Sequence, residues 1–201
     1  MLTEEKDHEN CPDRKHHCPD SSGGMTINTI DFEKYLHEYD NTSGLYPAAL
    51  QKLGKKYHDK GYLTREELYD LAHLNSTLSS YHVKRNPEDR VEKVTEAAYR
   101  LEDEFCQLAL FISLKGIGTP TASAILTALD DSRHAVIDTR VWATLWRLGY
   151  FQQEKEKFNP EDYLTMIKII RKMAEQTRFT TPEIGYALFA YDTVHREGTL
   201  H

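Results

Sequence analysis

The chain has 201 residues, 39% of them hydrophobic, which is enough for one globular domain or two small lobes. Its formal net charge of −7 excludes the overall basic surface typical of strong nucleic-acid binders, so any contact with nucleic acid needs a local patch. No apolar run approaches the ~20 residues that cross a bilayer, and the N-terminus lacks the apolar core of a secretion signal. We therefore expect a cytoplasmic protein without membrane contact.

Residues 1–24 differ in composition from the rest of the chain. They are rich in Asp, Glu, His, Pro and Ser and end in Ser-Ser-Gly-Gly. Such a composition buries too little apolar surface to offset the entropy of ordering, which predicts a disordered acidic and histidine-rich tail. Its His and Cys residues match no common zinc module, so we predict no metal site. Residues 25–201 are expected to form a single helical domain, with two small lobes as the alternative.

From Ile30 onward, apolar residues recur at intervals of three and four, the spacing of helices, and no segment alternates as a strand would. We predict an all-α fold, a compact bundle of about nine helices. A capping box at residues 64–67 opens one helix, and Pro160 and Pro182 stand in the first turns of the last two. The helix that starts at Pro87 is predicted to break near Glu102, and residues 76–86 are predicted to be a loop.

Residues 114–118 read Leu-Lys-Gly-Ile-Gly and join two predicted helices. Two glycines around one aliphatic residue predict a tight hairpin, because glycine adopts unusual backbone angles and leaves nearby amides accessible. Amides at the start of the next helix, together with its dipole, attract phosphate oxygens. Ile117 should pack the hairpin onto the core, and Thr119 should cap the helix. An interhelical turn without a ligand is the alternative for this short motif.

The hairpin with Thr121-Ala122, and the downstream segment Val-Ile-Asp-Thr-Arg-Val at 136–141, resemble the helix-hairpin-helix DNA glycosylases, the HhH-GPD superfamily of endonuclease III. The resemblance implies a DNA-glycosylase-like fold and double-stranded DNA as partner, with nucleoid association in a bacterial host. It also implies that Asp138 activates a water molecule or stabilises the oxocarbenium-like sugar. The residues expected to contact DNA are Lys115, Gly116, Ile117, Gly118, Thr119, Thr121 and Arg140.

The position of Asp138 indicates a role even without the resemblance. A carboxylate that opens a helix is held ionised by nearby amides and can face a developing positive charge. An ordinary N-cap aspartate is the alternative, and the two roles are compatible.

The sequence departs from the strand-cleaving members of the superfamily at Pro120. Those members use a lysine at the corresponding place to form a Schiff base with the sugar, and proline cannot do this. The resemblance therefore implies a monofunctional enzyme that leaves an abasic site. Three cysteines cannot supply the four thiolates of an iron–sulfur cluster, so no such cofactor is expected. A monovalent cation held by carbonyls of the hairpin belongs to the same hypothesis.

A flipped base needs planar side chains to stack against. Trp142, one helical turn after Asp138, and the pair Tyr81 and His82 are candidates for this pocket. Core packing is the alternative for Trp142, and exposed positions in a loop are the alternative for the pair.

The leading hypothesis is a monofunctional DNA N-glycosylase that acts on a modified or mispaired base. A catalytically inactive glycosylase-like protein, binding DNA as an adaptor, is the first alternative. A helical interaction protein without a role on DNA is the second.

Overall fold

A computed structural model describes residues 30–196 of the chain, and within this range the fold is all-α, as predicted. The predicted tail, residues 1–24, lies outside the described residues. Ten α-helices and one 3-10 helix, Tyr81–Arg85, follow one another without a strand between residues 30 and 196. The helices are α1 Phe32–Ser43, α2 Leu45–Lys60, α3 Arg65–Asn75, α4 Thr77–Ser80, α5 Glu88–Tyr99, α6 Glu104–Ile112, α7 Thr119–Leu129, α8 Thr139–Arg147, α9 Pro160–Glu175 and α10 Thr181–His195.

The helix starts follow the capping signals of the sequence. At α3, Thr64 Oγ1 accepts a hydrogen bond from the Glu67 amide, and the Glu67 carboxylate accepts one from the Thr64 amide. Asn159 and Asp162 form the same reciprocal pair at α9. Each cap contributes about 1 kcal/mol, because it satisfies amides that have no partner inside the helix.

The prediction of a loop at residues 76–86 was wrong. This segment forms α4 and the 3-10 helix. The Ser76 hydroxyl accepts a hydrogen bond from the Ser79 amide and so caps α4, while Val83 is fully buried and anchors the 3-10 helix in the core. The predicted break near Glu102 is confirmed, since α5 ends at Tyr99 and α6 begins at Glu104.

The core is organised around α7, which is buried along nearly its whole length. Its small residues let other helices approach closely. At the contact with α2, a Cβ added to Gly54 would lie 1.9 Å from the carbonyl oxygen of Ala128, so the two helix backbones nearly touch. On another face, the buried Ser123 hydroxyl accepts a hydrogen bond from the Ile137 amide at 3.0 Å. This bond fixes the extended segment that leads into α8. Between residues 30 and 196, none of the helices is both long and apolar enough to cross a membrane.

His134 gives the fold a pH dependence that can be measured. Its ring is buried, with Nδ1 2.8 Å from the Tyr163 hydroxyl, and burial lowers the pKa of His134 to about 4. The unfolded chain binds this proton near pH 6.5, so the unfolding free energy should fall as the pH drops from about 6.5 towards 4, by up to roughly 3 kcal/mol.

We expect His134→Gln to remove this part of the pH dependence, because glutamine does not titrate and can still meet the Tyr163 hydroxyl. Urea denaturation of both proteins at pH 7 and at pH 4.5 measures the difference. The same loss of stability in both proteins would mean that His134 is not responsible.

Candidate functional site

The hairpin between α6 and α7 depends on Gly116. Its φ is +85°, in the region that favours glycine. A Cβ at this position would also lie 2.8 Å from both the Ser79 carbonyl oxygen and the Val83 amide nitrogen. Gly118 differs, because its φ of −101° is open to any residue, and an added Cβ would meet only Pro120 Cδ at 3.7 Å. The prediction of unusual backbone angles was therefore right for Gly116 and wrong for Gly118.

Two buried residues fix the hairpin to the protein. Ile117 packs into the core, as predicted. Asn86, which is 2% exposed, donates from Nδ2 to the Lys115 carbonyl at 2.9 Å and accepts from the Lys115 amide at 3.0 Å. Asn86 was missed in the sequence because it ends a segment predicted to be a loop.

Helix α7 begins without a side-chain cap. The N-cap is Gly118, so the predicted cap at Thr119 was wrong. Thr119 is instead the first helical residue, and its buried hydroxyl donates to the Phe158 carbonyl at 2.9 Å. This hydroxyl is therefore used inside the protein. The first amides of α7 donate to no capping side chain and remain suited to an anion.

A groove of about 510 Å³ runs past the hairpin. We call it the hairpin groove. Its walls are Asn75, Ser76, Ser79, Gly116, Ile117, Gly118, Pro120, Thr121, Asp138, Thr139, Glu156 and Phe158. Lys115 is exposed beside the hairpin, whereas Thr121 is 4% exposed, so little of its side chain is open to a ligand.

Asp138 is the N-cap of α8, as the alternative interpretation predicted. Its Oδ1 accepts a hydrogen bond from the Arg140 amide at 2.7 Å. Burial raises the pKa of Asp138, while the amide and the guanidinium of Arg140 act in the opposite direction. We predicted that amides keep this carboxylate ionised, but their lowering effect on its pKa is smaller than the raising effect of burial. A raised pKa suits a carboxyl group that takes up a proton during a reaction.

A second cavity, also of about 510 Å³, opens on the other side of Asp138. We call it the aromatic cavity, after its walls Tyr39, Tyr46, Tyr186 and Phe189. Asn75, Asp138 and Thr139 border both this cavity and the hairpin groove. Its volume lies within the range of sites that take small molecules, about 300–1,000 Å³.

The rings of the aromatic cavity support one another. Tyr39 stacks on Tyr186 with centroids 4.6 Å apart, and Phe189 meets Tyr39 edge-on at 5.6 Å. The Tyr46 hydroxyl donates to Asn75 Oδ1 at 2.8 Å. Burial raises the pKa of Tyr39, Tyr46 and Tyr186, so these hydroxyls stay protonated and neutral. These aromatic walls come from α1 and α2 near the start of the described chain and from α10 near its end, so no local pattern identifies them.

The residues proposed for a base pocket lie elsewhere. Trp142 is 6% exposed, stacks on Phe151 at 3.7 Å and donates from Nε1 to the Gln153 carbonyl, so it belongs to the core. Tyr81 and His82 are exposed on the 3-10 helix. None of the three borders the aromatic cavity. Core packing describes Trp142 correctly, and exposure describes Tyr81 and His82 correctly, although these two lie on a 3-10 helix and not in a loop.

Arg140 points towards Asp192, and its side chain is 26% exposed. Its guanidinium lies 3.6 Å from Asp192 Oδ2 and 5.3 Å from the centre of the Phe189 ring, and it borders the aromatic cavity. The DNA contact predicted for Arg140 stays a prediction.

Exposed leucines surround the openings of both spaces. Leu45, 88% exposed, and Leu74, 52% exposed, line the aromatic cavity. Leu78 is 88% exposed between Ser76 and Ser79, which line the hairpin groove. Exposed apolar side chains on the wall of one cavity, Leu45 and Leu74, indicate a surface that another molecule covers.

The hairpin carbonyls are partly used within the protein. Leu114, Lys115 and Gly118 each accept one hydrogen bond through the carbonyl oxygen, from Ile117, Asn86 and Ala122. One lone pair remains on each oxygen, so a monovalent cation here stays a prediction. Within residues 30–196, no group of three His, Cys, Asp or Glu residues is placed to hold a metal ion.

Comparisons with known proteins give a distant likeness. No protein-family model and no curated protein matches the chain. Among solved structures, the fold is similar to that of a Methanocaldococcus jannaschii 8-oxoguanine glycosylase/lyase in complex with a 15mer DNA containing 8-oxoguanine, with 19% identity, a TM-score of 0.47 and 84% of each chain covered. A likeness at this level assigns no activity, which has to be argued from the residues of this chain.

Proposed function

We propose that this chain is a DNA N-glycosylase, which removes a modified or mispaired base from duplex DNA and leaves an abasic site. One observation carries the proposal. Asp138 stands where the hairpin groove meets the aromatic cavity, so one carboxylate faces both a place for a phosphate backbone and a place for a planar ring.

The hairpin groove supplies the grip on DNA. The uncapped amides at the start of α7 can donate to a phosphate oxygen, and the helix dipole favours its negative charge. Lys115 adds a cation beside them. The charged side chains on the groove wall are Asp138 and Glu156, so DNA binding by a chain with a net charge of −7 depends on these amides and on Lys115.

The aromatic cavity supplies a place for the base. An enzyme that acts on a base inside a duplex has to extrude the nucleotide, stack the base between side chains and fill the gap. The tyrosine rings offer the stacking surface, and the exposed side chains of Leu45 and Leu74, which line the same cavity, can enter the gap.

Asp138 supplies the chemistry. The bond between the sugar C1′ and the base nitrogen breaks, and positive charge develops on the sugar. The ionised carboxylate stabilises this charge and accepts a proton from the water molecule whose oxygen forms the new bond to C1′. The departing base takes up a proton from solvent, and Asp138 later releases its own proton to solvent, which completes the hydrolysis. Pro120 has no free amine, so no Schiff base forms at that position and the strand stays intact.

A catalytically inactive DNA-binding protein is the second candidate. The N-cap role of Asp138 favours it, because the hydrogen bond to the Arg140 amide explains this residue without any chemistry. In that case the hairpin groove would bind DNA and the aromatic cavity would have no part in cleavage.

The two candidates are separated by incubating the purified protein with duplexes that carry single uracil, hypoxanthine, 8-oxoguanine, 7-methylguanine or mispaired bases. Hot alkali then converts abasic sites into strand breaks, while omission of alkali tests for lyase activity. Alkali-dependent cleavage at one base supports the N-glycosylase. Salt-sensitive binding without cleavage at any base supports the inactive protein, and the absence of both removes DNA from the function.

A further inference from the structure

Two charged side chains border the aromatic cavity among the described residues, Asp138 and Arg140. The other polar groups are hydroxyls and an amide, which can both donate and accept hydrogen bonds. A guanidinium only donates. Arg140 is therefore the side chain on this wall that requires a hydrogen-bond acceptor on a bound ring.

Arg140 is held in place by an unusual partner. Asp192 on α10 is fully buried, and its carboxylate is bound by Arg140, Arg147 and Arg196. Arg140 also lies 3.4 Å from the Thr193 hydroxyl and packs over Phe189. A long side chain that is already held by an ion pair and by packing on a ring loses little further entropy when a ligand binds. Asp192 thus positions Arg140 at the cavity wall.

The charges around this wall do not favour a cation. The three arginines outnumber their acidic partners, Asp192 and Glu154, by one positive charge. An ionised Asp138 balances that charge, and a protonated Asp138 leaves it in place. In neither state does the cavity present the net negative charge that would stabilise a positively charged ring.

We propose that Arg140, positioned by Asp192, selects neutral bases with a carbonyl oxygen, such as deaminated or oxidised bases, and excludes cationic alkylated purines. This inference rests on the proposed function, since it takes the aromatic cavity as the place of the extruded base. A guanidinium donates to a carbonyl oxygen and repels a ring that already carries positive charge.

Binding in the Asp138→Asn background tests the inference without cleavage. Two matched pairs of duplexes are compared: 8-oxoguanine against the cationic 7-methylguanine, and hypoxanthine against unsubstituted purine, which lacks the carbonyl. We expect the first member of each pair to bind about tenfold or more tightly. Adding Arg140→Met should remove both preferences. Arg147→Met is the control, because it takes one arginine from the same carboxylate but does not border the cavity.

The outcomes separate this inference from the proposed function, which is judged by cleavage in the lesion panel. Preferences that disappear with Arg140→Met and persist with Arg147→Met support the inference. Equal binding within each pair overturns it, whether or not the wild-type protein cleaves any base. An equal loss of affinity for all duplexes, unmodified DNA included, also overturns it, because this would mark Arg140 as a phosphate contact. Loss of preference in both variants would assign the effect to the packing around Asp192.

Discussion

Asp138→Asn should lower the rate of base excision about 100-fold or more while DNA affinity and stability stay close to those of the wild-type protein. The amide side chain cannot take the proton from water or match the charge that stabilises the sugar. Its oxygen can still accept the hydrogen bond from the Arg140 amide, so the start of α8 is preserved. Single-turnover release of the base, DNA titration and urea denaturation measure the three quantities.

Asp103→Asn is the matched control for this substitution. Asp103 caps α6 in the same manner, accepting a hydrogen bond from the Cys106 amide at 2.7 Å, but it borders neither the hairpin groove nor the aromatic cavity. The Asp103→Asn variant should excise the base at the rate of the wild-type protein. If Asp138→Asn retains excision, the residue is an N-cap and no more, and the chemical step has to be assigned to another group.

Gly116→Ala should destabilise the protein by about 1–3 kcal/mol. It should also weaken DNA binding, because the hairpin can no longer keep its geometry. The left-handed backbone at this position disfavours a side chain, and the new methyl group would press on the backbone at Ser79 and Val83. Urea denaturation and the salt dependence of DNA binding measure the two effects.

Gly118→Ala separates binding from folding. Its backbone accepts alanine and the methyl group meets nothing closer than 3.7 Å, so stability should be unchanged. The methyl group would nevertheless stand beside the first amides of α7 and hinder a phosphate. Weaker binding by this folded variant would support the hairpin groove as the DNA contact. Binding equal to that of the wild-type protein by both glycine variants would exclude it.

The features that were predicted correctly are those encoded by neighbouring residues. The capping pair of Thr64 and Glu67, the all-α periodicity and the burial of Ile117 all depend on side chains within a few positions of each other. The same holds for Asp138 at the start of α8. Local chemistry of this kind is largely independent of the tertiary fold.

The features that were missed depend on contacts between distant segments. Tyr39 and Tyr186 stack on each other although α1 and α10 lie at opposite ends of the described chain. Arg140 turns inward because a buried carboxylate at Asp192 attracts it, and nothing near Arg140 in the sequence signals this. Thr119 gives up the capping position because its hydroxyl finds a partner at Phe158. Tertiary contacts override local preference at each of these positions.

Under the proposed function, the near contact of backbones at Gly54 and Ala128 has a consequence for which partner changes shape when DNA binds. Helix α7 carries the hairpin at its first end, and α2 carries Leu45 and Tyr46 at the edge of the aromatic cavity. No side chain lies between the two helices at this contact, so they cannot shift by repacking one. Tightly packed interiors also resist compression. The distance between the hairpin groove and the aromatic cavity should therefore stay constant. The duplex would therefore supply the bending and unstacking, and sequences or lesions that are easily deformed would be engaged first.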